Sequence, residues 1–173
     1  MNRAIKITTG LGLAAIPVAG LLAYHRIVER KTRENFVLLS AGDYEPVLGQ
    51  ISSDFEHFFS GRHPLGGRRH SVDAMRRWFK RLYTINRTLR FEIKDICVSG
   101  LPWDTVVAVE WIDRAILADG DDSYINQGVH FIRMRWGKIV SLHAYLDTQI
   151  FAEASARVAQ NGIAEAAAAP IID

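Results

Sequence analysis

His130 and Asp113 come first, because a histidine and a carboxylate held face to face can move a proton. In an extended strand, side chains two apart share a face. Asn126, Gly128 and His130 therefore share one face of the run Ser123 to Arg135. Trp111 and Asp113 share one face of the run Thr105 to Leu117. If both faces look inward on neighbouring strands, Trp111, Asp113, Asn126 and His130 line one pocket. His63, in a glycine-rich loop, would stand near its mouth. Such a pocket is mostly apolar with a few converging polar groups, the usual form of a small-molecule site. A neutral histidine near pH 7 accepts a proton from an activated carbon or a hydroxyl. A second histidine or a carboxylate can stabilise or return it, and a carboxylate beside a histidine fixes its tautomer.

Each of these residues also has a plainer reading. His130 can be a hydrogen-bonded core residue and His63 a surface one. Asp113 can pair with Arg114, Arg133 or Arg135 across the strands. Trp78, Trp103, Trp111 and Tyr83 read first as core aromatics and second as the walls of a ligand cage. Asp147 reads as a helix cap. His57 and His70 suggest no role. Cys97, between Ile96 and Val98, is the single cysteine. It cannot close an internal disulfide or build a metal site alone, and it reads as a small buried hydrophobe. No metal-ligand spacing and no phosphate-cradling loop after a strand is present, so no metal, nicotinamide or flavin is expected.

The elements that must position these groups follow from periodicity. Arg26 to Ser40 reads as a helix, broken by Ala41-Gly42, with Asp43 placed to cap a second short helix and Pro46 in its first turn. Asp54 to Phe59 is a short strand candidate. Ser60 to His70 reads as a loop because Gly61, Pro64, Gly66 and Gly67 interrupt regular structure. From Ser71, the residues Met75, Trp78, Phe79, Leu82 and Ile85 recur at helical spacing, with a basic opposite face. The period then changes to two. Leu89 to Val98 is a strand with a phase slip near Asp95 that suggests a bulge. Thr105 to Leu117, Ser123 to Arg135 and Lys138 to Leu146 follow, separated by turn signals at Asp119-Gly120 and Gly137. A helix from Thr148 to Ala159 and a mobile tail over 161–173 complete the chain. Helices gathered before a meander imply an α+β domain over 26–160: a curved, mostly antiparallel sheet wrapped over three helices, enclosing one pocket.

Ahead of that domain, Ile7 to Tyr24 carries no charge, with Arg3 and Lys6 before it and Arg26, Arg30, Lys31 and Arg33 after it. As a helix it would run roughly 27 Å at about 1.5 Å per residue, close to a hydrocarbon core of about 30 Å. Residues 1–25 are thus expected to anchor the chain in a membrane, and the heavier basic flank after the span puts the domain on the cytoplasmic side. A cleaved signal peptide and an ordinary helix are the alternatives. The formal net charge of +2 is too small to imply a nucleic-acid partner.

Three stretches carry a family resemblance: HPLGG with SVDAMRRWF, YINQGVHFIRMRWGKIVSLHAYLDT, and AGDYEPVL. Together they resemble the SnoaL-like branch of the nuclear transport factor 2 superfamily, with its polyketide cyclases, ketosteroid isomerases and limonene-type epoxide hydrolases. The resemblance implies a cone-shaped domain binding a steroid-, terpenoid- or polyketide-like molecule, with cofactor-free isomerisation, cyclisation or dehydration. His63, before Pro64, resembles the isomerases' base position, and His130 their oxyanion-stabilising acid. Asn35 falls where they carry a tyrosine. In the epoxide hydrolase relay, Asp113 resembles the first aspartate, but Trp111 and Ala144 replace the arginine and second aspartate, so that route is not expected. The resemblance, taken with the strand parity and the aromatic residues above, gives His63, His130 and Asp113 as the expected catalytic residues, and Trp111, Asn126, Asn35, Trp78 and Tyr83 as the expected ligand-binding ones. His143 and Tyr145 would face the outer sheet surface, where this superfamily often dimerises. The contrary expectation is a non-catalytic, membrane-tethered module that docks on another membrane protein.

Overall fold

The computed structural model describes residues 18–173. The described residues open with a long helix, α1 (Val18–Ser40). Ala41-Gly42 turns it into the single-turn helix α2 (Glu45–Leu48). Strands β1 (Ile51–Phe59) and β2 (Gly67–Arg69) follow, and then helix α3 (Val72–Ile85). The meander is β3 (Asn86–Leu101), β4 (Asp104–Leu117), β5 (Tyr124–Arg135) and β6 (Lys138–Leu146). Helix α4 (Thr148–Gln160) and a short turn of 3-10 helix (Ala164–Ala166) end the chain.

The six strands form one sheet in the order β2-β1-β6-β5-β4-β3. All neighbours are antiparallel except β1 and β6. The α+β architecture follows from alternation: Val107, Val109, Trp111, Asp113, Ala115 and Leu117 are all buried on one face of β4. The phase slip read at Asp95 is real, a register shift in the β3–β4 pairing between Ile93 and Asp95. Ser71 starts α3 by accepting from the Ala74 amide at 3.1 Å. That orients Met75, Trp78, Phe79, Leu82 and Ile85 into the core. Asp147 starts α4 in the same way, accepting from the Gln149 and Ile150 amides.

Several expectations need correction. Asp43 does not cap α2; Tyr44 holds that position without a side-chain bond. The loop read over Ser60 to His70 contains β2, because Gly67 to Arg69 lies against Phe59 to His57. Cys97 is exposed, on the outward side of the β3 alternation. Trp103 is also exposed rather than core. The 161–173 segment is held rather than free. Arg81 donates to the Ala169 carbonyl at 2.7 Å, and the Asp173 carboxylate accepts from the His70 amide at 2.6 Å and from the Ser71 hydroxyl.

The expected membrane span falls mostly outside the described residues. Among those described, no helix is long and apolar enough to cross a membrane. Helix α1 runs unbroken through the expected boundary at residue 25. Tyr24 belongs to the domain, its hydroxyl bonded to Thr105 Oγ1 at 2.6 Å, and the next residue, His25, bonds the Gly100 carbonyl at 2.8 Å.

Candidate active-site cavity

A cavity of about 380 Å³ opens between the concave face of the sheet, α1 and α3. That volume lies within the range of ordinary small-molecule sites. Its walls are largely aromatic and aliphatic, with Phe36, Phe91, Trp78, Phe79, Leu142 and Phe151 among them. Ile27, Lys31, Asn35, Gln50 and Gly137 are its more exposed lining residues and mark its mouth.

The polar wall is built from β4 and β5. Their register sets Asp113 opposite Asn126, Trp111 opposite Gly128, and Val109 opposite His130. Gly128 is needed here, since a Cβ would meet the Trp111 ring at 2.8 Å and the Tyr145 carbonyl oxygen at 2.2 Å. Without that Cβ the indole lies across β5, with its ring centre 5.3 Å from that of His130 and 5.4 Å from that of Phe91. Phe36 of α1 covers His130 from the other side at 5.3 Å.

Three polar atoms along this wall have no hydrogen-bond partner: Trp111 Nε1, Asp113 Oδ1 and His130 Nδ1. Buried polar groups are nearly always paired, so such a cluster calls for an explanation. Burial pushes the Asp113 carboxyl up from 3.8 to about 7, against a smaller opposing pull from the Asn126 backbone. Burial pushes His130 down from 6.5 to about 4, so its ring is neutral near pH 7. Near neutrality the wall therefore presents a half-ionised carboxyl at Asp113 and an uncharged imidazole at His130, set apart along the strands with Trp111 between them rather than face to face.

The opposite wall holds a pair that the sequence reading did not use. His57 of β1 is buried and lines the cavity, packed edge-on to Trp78 at 4.8 Å. Arg69 of β2 is fully buried, and its hydrogen bonds among the described residues all go to uncharged acceptors. Its guanidinium donates to the carbonyls of Leu65, Gly66 and Gly67, and through Nη1 to His57 Nδ1 at 2.9 Å. A guanidinium can only donate, so His57 Nδ1 accepts and the ring proton sits on Nε2. Burial, reinforced by the Arg69 charge, holds the His57 pKa well below its usual value. His57 is thereby fixed as a neutral hydrogen-bond donor. Burial also lowers the Arg69 pKa to about 10, which leaves it charged at neutral pH.

Of the residues singled out in the sequence, Trp111, Asp113, His130, Trp78, Tyr83 and Asn35 line the cavity. Trp78 is anchored by its Nε1 on the Leu65 carbonyl at 2.8 Å. Asn35 sits at the mouth in a reciprocal pair with Gln50, at 3.0 and 2.9 Å. Two residues are placed elsewhere. Asn126 is buried but does not line the cavity, its amide spent on the Asp147 carbonyl at 3.0 Å, the Tyr124 hydroxyl and the Gln127 amide. His63 is buried behind Phe59 and Phe151, its Nε2 bonded to the Ser60 carbonyl at 2.8 Å, because the loop folds inward past Gly61. It does not stand at the mouth. The missed residue His57 had a signal in DFEHFF, since Phe55, His57 and Phe59 share one strand face. Arg69 had none. Among the described residues, no three His, Cys, Asp or Glu side chains gather as metal ligands.

The SnoaL-like domain family matches residues 33–142, well over half of the chain, and the chain belongs to that family. Its fold is that of solved nuclear transport factor 2-like structures. PrhC from Penicillium brasilianum superposes with a TM-score of 0.68 at 15% identity, covering 82% of this chain and 94% of that one. A nuclear transport factor 2-like protein of unknown function from Burkholderia pseudomallei gives 0.62 at 21%, covering 70% and 91%. A scytalone dehydratase-like protein from Novosphingobium aromaticivorans gives 0.61 at 14%, covering 75% and 88%. A search of the curated proteins finds no match to the sequence.

Proposed function

We propose that the chain takes a small, mostly apolar molecule bearing a carbonyl or enol oxygen into this cavity and moves a proton on it without a cofactor. The observation that carries the reading is that Trp111, Asp113 and His130, each with a buried polar atom that has no partner, line one wall of a largely apolar cavity whose other wall carries His57. Leaving such groups unpaired costs about 1–3 kcal/mol each, an expense that a ligand with matching polar atoms would offset. The fold it shares with a scytalone dehydratase-like protein is compatible with dehydration as the outcome.

Roles follow from the ionisation states. Asp113, ionising around pH 7, is the base that takes a proton from the carbon next to the carbonyl, and it can return that proton elsewhere. His57, locked with its proton on Nε2, donates to the oxygen on which negative charge gathers, and the buried Arg69 charge behind it favours that anion. His130 and Trp111 orient the ligand from the wall that carries Asp113. His63 takes no part, being screened from the cavity.

Exchange of the acidic hydrogens of an aryl ketone such as β-tetralone in deuterated water, followed by NMR, tests this without knowledge of the natural substrate. The chain should accelerate exchange, with a rate that rises through about pH 7 and then levels. Asp113→Asn should slow it by about 100-fold or more, the usual weight of a general base. Undiminished exchange in that variant, with its fold intact, would remove Asp113 from the role.

A further inference from the structure

The end of the cone at which the cavity opens has a surface unlike the rest. Residues Val18 to Ala23 of α1 carry no polar side chain, and all but Leu21 are exposed. This turn and a half continues the uncharged run that begins at Ile7. Just below it, Tyr24 and His25 tie α1 to the β3–β4 turn through Thr105 and the Gly100 carbonyl. That turn carries Trp103, 45% exposed, and the β5–β6 turn beside it carries Trp136, 69% exposed. The two turns are joined by the Trp136 amide on the Pro102 carbonyl at 2.6 Å, and the two indoles lie 5.8 Å apart. Trp136 is held at φ 52°, a region that bulky side chains rarely occupy. Around the same end stand Arg26, Lys31 and Lys138, exposed and without an ion pair among the described residues. Ile27, Lys31 and Gly137 of this region line the cavity mouth.

We propose that this end of the domain seats on a bilayer containing anionic lipids, with Trp103 and Trp136 at the headgroup level and the cavity mouth opening toward the membrane. The order along the surface, apolar, then aromatic, then basic, is that of a protein lying at a lipid interface. Tryptophan suits that level because its ring is apolar and its N–H is wet. The basic collar supplies the match to anionic headgroups. An apolar ligand would then enter from the lipid without crossing water. The seat rests on the surface alone; ketone exchange measured in detergent would report on the cavity chemistry independently.

Tryptophan emission of the full chain, mixed with phosphatidylcholine/phosphatidylserine vesicles with and without brominated acyl chains, tests the seat. Two of the four tryptophans, Trp78 and Trp111, are buried in the core and serve as silent references. The expected result is that bromolipid removes up to about half of the emission, the share that Trp103 and Trp136 contribute at the interface. The double variant Trp103→Phe/Trp136→Phe should lose this quenching even when it still floats with the vesicles. Vesicle-bound protein that is not quenched, quenching that persists in the double variant, or quenching that needs no phosphatidylserine would each overturn the proposal.

Discussion

Asp113 is the carboxyl whose ionisation the fold opposes, and stability should register that. Its carboxyl ionises around pH 7 in the folded chain against an ordinary 3.8. The folded state therefore holds this proton longer than the unfolded one does. The resulting stability is fully present below about 3.8 and is lost as the pH rises through about 7, a difference of about 4 kcal/mol. Asp113→Asn carries no charge to bury. Calorimetry should find it more stable than the parent at pH 8 by several degrees in Tm, with the gain shrinking toward pH 5. Parallel pH profiles for the two proteins would contradict the burial of this charge. The histidines act in the opposite sense. His57 and His130 have depressed pKa values, so their contribution is present above about 6.5 and lost as the pH falls, for His130 through about 4. At this scale the sequence was legible where alternation set the side chain's direction, as for Trp111, Asp113 and His130. It was not legible for Arg69, because a charged residue in a glycine-rich loop ordinarily faces water. Only the closing of Leu65 to Gly67 around the guanidinium makes its burial possible. His63 was misplaced for a related reason: a loop has no period from which to read direction.

Among the elements, the β5–β6 turn is built against local preference. Trp136 at φ 52° and Gly137 at φ 77° both occupy the left-handed region, the geometry of a two-residue hairpin that favours Asn-Gly. An L residue bulkier than asparagine pays roughly 1 kcal/mol there. Trp136→Asn should therefore raise Tm by about 2–4 °C in thermal unfolding. It should also weaken quenching by bromolipid, giving the pattern of a residue kept for contact rather than for stability. An unchanged or lower Tm would show that the indole's packing on Trp103 outweighs the strain. The turn itself was legible from Gly137, and β6 runs over the residues expected for it, Lys138 to Leu146. The bulge near Asp95 showed as a break in alternation. Strand β2 was hidden because its three residues are too few to display a period and begin at a glycine. The end segment 161–173 looked free because its alanine-rich composition suggests no partner. It is held by Arg81, His70 and Ser71, long-range contacts that local pattern cannot reveal.

Across the whole molecule, the curved sheet supplies two walls of opposite character. The β4–β5 wall carries Trp111 Nε1, Asp113 Oδ1 and His130 Nδ1 without a hydrogen-bond partner, and the β1–β2 side offers a histidine locked by a buried arginine. Helices α1 and α3 close the space between them and leave about 380 Å³ open toward the end that carries Trp103 and Trp136. A cavity kept only by accident would be expected to collapse around its apolar lining, since protein interiors pack densely. The central claim is that this space receives an apolar molecule with a polar handle. Native mass spectrometry of the detergent-extracted full chain, alone and with a panel of aryl, terpenoid and steroidal ketones, tests it most directly. The expected result is a saturable adduct of one small molecule per chain, present from the outset or formed with a panel member, and released on mild denaturation. Bare chain mass under every condition, or non-saturating multiple adducts, would contradict a ligand site in the cavity.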